Sequence, residues 1–515
     1  MSIYLGVFIG YFAIIIISSI VGAKKVETMG DFTTGGNSMG LILGVGTSVA
    51  TWLSVASVMG VPGNIYSRGV CAITGWIAGW FGGTALMPLI AYKIRRPAVP
   101  TRTFPEFIHA RYDADKDVSP LQIVAAVIEL AGYFVFSFIQ VQGFGIVLNR
   151  ITGLPFVTCC WLFMIILVFT CFGGFQSVAR TDTVNAILIL IGVIAGAITV
   201  VNVAGGMGAI VENFATTTAP AVTGGNPIPA GSLTSTWGVF GASAIMSTFL
   251  SNSLGASVAP HWVARFMAPK NAKTGALQMF WVVIFLIPIF ICIVIIGMGG
   301  KALMPSLPEG VTSDYMFPQL IINYLNPVLG SLALVAICAA AVSTANSMLL
   351  HCSTSLIYDI VRNIKFSGGK KATVEDDAKT TKVLRITILV LGVLAVIGAI
   401  QQWSFLADGF TYVYGAFGSV FFAMVWLGLY VKKMNRPAAW VSLIVGFILY
   451  FYCVTQGAPF GLPTFIVSGG CSVISAIIVM LVTKAPPVEC YEAYFSDDPS
   501  EATVAAMHRI RRDDV

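Results

Sequence analysis

The chain is 515 residues long, 57% hydrophobic and only 10% charged, with a formal net charge of +6. Soluble domains carry about 25% charged residues, so a water-exposed globule is excluded, and the absence of dyad alternation excludes an outer-membrane barrel. The apolar residues gather into runs of about 20, which cross a bilayer as helices because lipid offers backbone amides no other partner. The expected fold class is therefore all-α integral membrane.

In chain order, the first run at 3–22 has neither a preceding basic segment nor a small-residue cleavage site, and reads as a retained helix rather than a signal peptide. Further spans are expected at 39–66, 70–93, 119–149, 155–172, 181–204 and 237–262. Six more follow at 275–300, 327–360, 383–402, 408–431, 437–456 and 464–483, giving about thirteen transmembrane helices. Residues 1–483 then form the membrane domain, and 484–515 a charged tail too short for an appended catalytic domain.

Basic residues set the orientation. With the N-terminus outside, the outer loops carry only Arg68, Arg150 and Lys301 of the 29 Lys and Arg. The dense clusters fall in the cytoplasm: Lys93, Arg95, Arg96 and Arg102; Lys370, Lys371, Lys379 and Lys382; Lys432, Lys433 and Arg436. The outer stretch 202–237 has none. This predicts a multi-pass protein of the cell (inner) membrane with a cytoplasmic C-terminus. The positive charge reports topology and the lipid bilayer as partner, not nucleic acid, and leaves the oligomeric state open. The ten cysteines include no Cys-x-x-Cys pair and lie mostly in apolar runs, as small packing residues do.

Two spans look interrupted. The second holds Gly40, Gly44 and Gly46, then Thr47, Ser48, Thr51, Ser54 and Ser57, then Gly60 and Pro62. The seventh holds Ser243, Ser247, Thr248, Ser251, Asn252, Ser253 and Gly255, then Pro260. Glycine, proline and hydroxyls at that density weaken a helix and free backbone groups for a ligand. The segments match locally, Ala50-Thr51-Trp52-Leu53-Ser54 against Ser247-Thr248-Phe249-Leu250-Ser251, and lie five spans apart, as an inverted repeat of about 39–204 and 237–431 requires. Solute-binding candidates are Ser54, Ser57, Ser247, Ser251 and Asn252 for polar groups, with Trp52 and Phe249 for an apolar part. Gly75, Gly79 and Gly83 form a small-residue stripe suited to close helix packing.

The ninth span carries Ala340, Ser343, Thr344, Asn346 and Ser347 in an apolar helix, with Ser343, Thr344 and Ser347 on one face with Ala340. Neutral oxygens suit a hard monovalent cation; hydrogen bonding between helices is the alternative. Asp182 is expected at the start of the sixth span, as an interfacial partner or helix cap. Glu129 sits near midplane depth, where an ionisable group is costly and functional by default. Asp408 lies near the outer end of the eleventh span, within reach of water. The four histidines make no metal-ligand spacing, and no catalytic set or phosphate-binding loop is present, so an enzyme or ATP-driven pump is not expected.

Four stretches make 1–483 resemble the sodium/solute symporter family. Ala339 to Ser347, followed by Leu349-Leu350 and Asp359, is similar to its most distinctive signature. Gly173-Gly174-Phe175 through Val178 and Thr181-Asp182 is similar to a second. Pro260-His261 with Arg265-Phe266-Met267-Ala268 resembles proline and monocarboxylate permeases, and Ser54 to Tyr66 the family's broken repeat helix. Gly300 to Pro305 looks most like pantothenate permeases. The resemblance implies a LeuT-type five-plus-five inverted repeat with one leading and two trailing helices. It further implies a sodium site made by the carbonyls of Ala50, Leu53 and Ala340 and the hydroxyls of Ser343 and Thr344. Some family members suggest a second sodium at Asp182, Asn346 and Ser347; there the alternative is a carboxylate satisfied by those two side chains alone. The chain departs from proline carriers at Trp52, where they have an acidic residue, and lacks the polar cluster of sugar carriers.

The expectation is sodium-coupled symport of a small carboxylate-bearing solute such as pantothenate, a monocarboxylate or an amino acid. A neutral sugar or polyol, or a transporter-like membrane sensor, is the alternative.

Overall fold

The computed structural model describes residues 2–23, 29–170, 174–218, 229–308, 311–368, 372–402 and 406–512. Gly173, Lys370, Lys371 and part of the outer stretch 202–237 lie outside them. Among the described residues the chain is helical, with one isolated β-bridge between Met39 and Pro269. Ten helices are long and apolar enough to cross a membrane, or 11 when a bent pair is included.

The first repeat region follows α1 (Ser2–Ala23). It contains α2 (Leu41–Trp52) and α3 (Ala56–Arg68), bent by 51°, then α4 (Val70–Ile94) and the short α5 (Phe104–Tyr112). It continues with α6 (Pro120–Thr152), α7 (Phe156–Thr170) and α8 (Gly174–Val203). The second region has α9 (Gly241–Leu250), a π-helical turn Ser251–Gly255 and α10 (Pro260–Met267). Then come α11 (Ala272–Leu303), α12 (Pro327–Thr354), α13 (Val374–Ile400) and α14 (Leu406–Tyr430). α15 (Arg436–Gln456), α16 (Thr464–Val482) and the tail helix α17 (Glu501–Arg511) close the chain. The expected spans 155–172 and 237–262 correspond to α7 and to the interrupted α9–α10. Neither is among the long apolar helices, so thirteen crossings remain a proposal.

Local chemistry explains the ends. Asn326 caps α12 by accepting from the Val328 and Leu329 amides, with Pro327 in the first turn, where its missing N–H costs nothing. Ser119 and Pro120 open α6 in the same way, and Gly153, at φ 71°, ends it in the left-handed region. The buried Arg111 donates to the carbonyls of Gly428, Val431 and Met434, neutralising the C-terminal end of α14.

The hydropathy runs misplace one boundary. α8 begins at Gly174 rather than near 181, so Asp182 lies inside the helix and is neither a cap nor interfacial; it is fully buried. Apolar periodicity does not register a polar first turn that protein, not water, covers.

α12 is the central element. In its span 83% of the hydrophobic window is buried, against 22% for α1, which faces outward. α12 packs on α8 and α6 and touches α2. The glycine stripe on α4 lets the second interrupted segment approach: a Cβ on Gly83 would stand 2.5 Å from the Ser253 carbonyl oxygen, and one on Gly79 2.9 Å from that of Phe249.

Candidate functional site

The break between α2 and α3 comes from particular groups. Leu53 leaves helical geometry at ψ 67°. The Val55 amide turns to Gln140 Oε1 on α6 at 3.2 Å, and Ser57 Oγ donates to the Trp52 carbonyl at 2.5 Å. One carbonyl of the last turn of α2, that of Ala50, meets α12. Ser343 Oγ approaches the Ala50 carbonyl at 3.5 Å and that of Ala340 at 3.2 Å. Hard cations hold oxygens at about 2.3–2.6 Å, which sets neighbouring ligands about 3.3–3.7 Å apart; the contact between helices, Ser343 Oγ with the Ala50 carbonyl, has that spacing. Thr344 Oγ1 is buried without a hydrogen-bond partner among the described residues. A threonine hydroxyl in a helix ordinarily satisfies itself on the preceding turn, so this oxygen is a ligand in waiting. Ala50, Leu53, Ala340, Ser343 and Thr344 are all fully buried, and the donor set is neutral. It fits sodium.

Asp182 lies beside this cluster. Its Oδ2 accepts from Thr47 Oγ1 at 2.7 Å and stands 3.6 Å from Arg265 Nη2, while Oδ1 has no hydrogen-bond partner. Arg265 also donates to Ser347 Oγ at 2.9 Å and to the His261 carbonyl at 3.2 Å. Asp182 and Ser347 thus meet through a guanidinium, with Asn346 buried on the same helix. Sequence reasoning passed over Thr47 and Arg265 as site residues. The available signal was an arginine within a proline-opened helix that carries no other charge.

The solute candidates divide into two groups. Trp52 is buried, stacked on Trp262 with centroids 4.7 Å apart and 5.9 Å from Trp80. Ser54 is buried next to it, its carbonyl accepting from the Ser57 and Val58 amides. Asn252 accepts from Trp80 Nε1 at 2.9 Å and donates to Thr411 Oγ1 at 3.2 Å, tying the second interrupted segment to α4 and α14. Phe249 packs toward Gly79 and Gly82 on α4. Ser247 and Ser251 face a cavity of about 470 Å³, also lined by Trp76, Thr411 and the Arg68–Asp408 pair. That pair is bidentate, at 3.1 and 2.5 Å. Asp408 is therefore not simply wetted at the helix end: α3 delivers a guanidinium to it, 340 residues away in sequence.

Uncharged oxygens held where a helix is broken suit a monovalent cation carried with a solute, not a bond-making reaction. The molecule falls among secondary transporters. The comparisons narrow this. The family model described as "Sodium:solute symporter family" matches residues 32–446, and the chain belongs to that family. The osmoregulated proline transporter OpuE of Bacillus subtilis (strain 168) is 25% identical over 497 residues, covering 94% of this chain and 96% of that protein. The sodium/pantothenate symporter of Escherichia coli (strain K12) is 27% identical over 461 residues, covering 87% and 89%. A solved sodium-coupled sialic acid symporter in a substrate-bound, outward-open state aligns with a TM-score of 0.74 at 21% identity, covering 94% of this chain and 98% of that one. The protein is a multi-pass membrane symporter of LeuT-type fold, coupling sodium to a small solute. It is not an enzyme.

Proposed function

We propose that the solute bears a carboxylate and enters through the cavity over the second interrupted helix. The observation that carries this reading is the lining: hydroxyls of Ser247, Thr248, Ser251 and Thr411 converge there, with the Arg68 guanidinium as a cation inside the same wall. A carboxylate exchanging with Asp408 for that guanidinium would form a charge-assisted pair of the same kind. Trp76, Phe240 and Ile245 supply the apolar part of the same wall, and half-helix amides contribute positive ends. The relatives that transport proline and pantothenate, both carboxylates, agree with this class.

The coupling sodium is assigned to Ala50, Leu53, Ala340, Ser343 and Thr344. Asp182, Asn346 and Ser347 form a second cation position, held by Arg265 in this conformation and open to a second sodium when Arg265 withdraws. The membrane is the cell (inner) membrane, with the N-terminus outside and the tail in the cytoplasm, and the two repeats span about 39–204 and 237–431.

Competition tests the solute class. Uptake into proteoliposomes under a sodium gradient is measured with labelled proline, pantothenate and lactate, and unlabelled sugars and polyols are added. Inhibition by carboxylates alone is expected. No sodium-driven uptake of any labelled carboxylate, with a labelled sugar or polyol taken up under the same gradient, overturns the assignment.

A further inference from the structure

Glu129, on α6, is used by neither the sodium site nor the solute cavity. Its Oε1 lies 3.2 Å from His351 Nδ1 on α12, with side-chain exposures of 2% and 10%. Its Oε2 is buried without a hydrogen-bond partner. One turn along α6, Tyr133 OH is 2.8 Å from His261 Nδ1 and accepts from the His261 amide at 2.6 Å. The Tyr133 ring lies 5.5 Å from that of His351. In the other direction the polar groups continue. Ser355 is buried next to Glu129, and Asp359 accepts from Thr103 Oγ1 at 2.6 Å and from Gln122 Nε2 at 3.0 Å. Gln122 Oε1 meets His109 Nδ1 at 2.8 Å, and His109 Nε2 is 3.1 Å from the Lys116 carbonyl, in the loop between α5 and α6.

A carboxyl and an imidazole in contact share one proton stably, as O–H···N or as O⁻···H–N⁺. With no proton the pair buries a net negative charge; with two it buries a net positive one, and both are costly in low dielectric. Among the described residues, the further titratable and charged neighbours are Cys352 on α12 by Glu129, Arg265 on α10 by His351, Tyr414 on α14 by Tyr133, and Glu106 on α5 with Tyr358 and Arg362 by Asp359. From α13, the apolar contact of Gly398 with Phe138 closes another side of α6.

We propose that Glu129 and His351 are a proton-binding site that exchanges one proton with the cytoplasm by way of the Ser355 hydroxyl, the Asp359 carboxyl and the Thr103 hydroxyl, in competition with sodium. The proton leaves the Glu129–His351 contact and ends on bulk water, and no other bond changes. The competition follows from α12, which carries both sites. Thr344 and His351 are seven residues apart, about 10 Å along the helix. Protonation turns the pair from net negative to neutral, and losing one unit charge of attraction at that distance weakens sodium on the order of tenfold at an effective dielectric of about 20. Only this direction of coupling rests on the sodium position assigned above.

The test needs no solute. Sodium binding to the full chain in nanodiscs is followed with radioactive sodium between pH 5.5 and 8.5, and proton release on sodium addition is followed with a pH dye in weak buffer. The wild type should bind sodium on the order of tenfold more weakly at the acid end and release a fraction of a proton at neutral pH. Glu129→Gln should bind sodium with little pH dependence and release none, and His351→Gln, chosen in case the first variant folds poorly, should flatten the profile as well. Flat wild-type binding, or unchanged profiles in both variants, overturns the proposal. Ser343→Ala with Thr344→Ala separates the two readings, since it weakens sodium binding at least about tenfold at every pH if the sodium assignment holds, whatever Glu129 does.

Discussion

At the residue scale, the proposed sodium position rests on one hydroxyl without a partner among the described residues and one placed between two carbonyls. Thr344 Oγ1 has no acceptor or donor of its own, and Ser343 Oγ points between two carbonyls. Replacing both hydroxyls by hydrogen removes two ligands, each worth about 1–3 kcal/mol in a buried site. Ser343→Ala with Thr344→Ala should therefore raise the sodium concentration for half-maximal uptake at least about tenfold, read from uptake at varied sodium and constant ionic strength. Asp182 tests a different point. If Arg265 yields its place to a second sodium during the cycle, uptake rises with a Hill coefficient above one in the wild type. Asp182→Asn should bring the coefficient to about one with transport still measurable. A wild-type coefficient of one would leave Asp182 as the partner of Arg265 alone, where breaking a buried pair costs about 3–5 kcal/mol and lowers the melting temperature instead.

At the element scale, the face that carries the C-terminal tail is built from parts too short to register as spans. α5 is held between α6 and the tail: Thr103 caps it, Arg111 ties it to α14, and α17 packs on it. Arg512, just past α17, donates to the Asn363 side chain at 3.0 Å and pairs with Asp117 at 3.2 Å, joining the tail to the end of the α12 stretch. His109 sits in this cap, and burial holds its pKa below the ordinary 6.5. The neutral form is the folded one, so the unfolded segment binds more protons below about pH 6.5 and stability falls as pH falls. Hydrogen exchange of residues 104–118 should accelerate as pH drops below 6.5, after correction for intrinsic rates, and His109→Asn should remove much of that dependence. Equal pH dependence in the variant would place the acid sensitivity elsewhere.

At the scale of the whole molecule, coupling sets how far solute can be concentrated. One sodium entering down about 100 mV gains about 2.3 kcal/mol, and a tenfold sodium gradient adds about 1.4 kcal/mol. Together they support about 500-fold accumulation of a solute without net charge, such as a zwitterionic amino acid. A monoanion with one sodium loses the electrical part and reaches only about tenfold. Proteoliposomes under both gradients should therefore tell a one-sodium from a two-sodium cycle for a monoanion. Uptake that persists when choline replaces sodium would break the assignment of sodium as driving ion.

The membrane class, the helical architecture and the interruption of two helices were legible in the sequence, because lipid makes apolar run length and glycine, proline and hydroxyl density nearly sufficient signals. Ser343 and Thr344 stood out in the sequence as hydroxyls in an apolar helix, and the structure buries both. What the sequence did not contain is which polar groups meet. Arg265 with Asp182, Arg68 with Asp408 and Glu129 with His351 are separated by 83, 340 and 222 residues, and no periodicity links such positions. Only the tertiary structure decided that these charges face one another, because a buried charge finds its partner through the packing of whole helices and not through its neighbours in the chain.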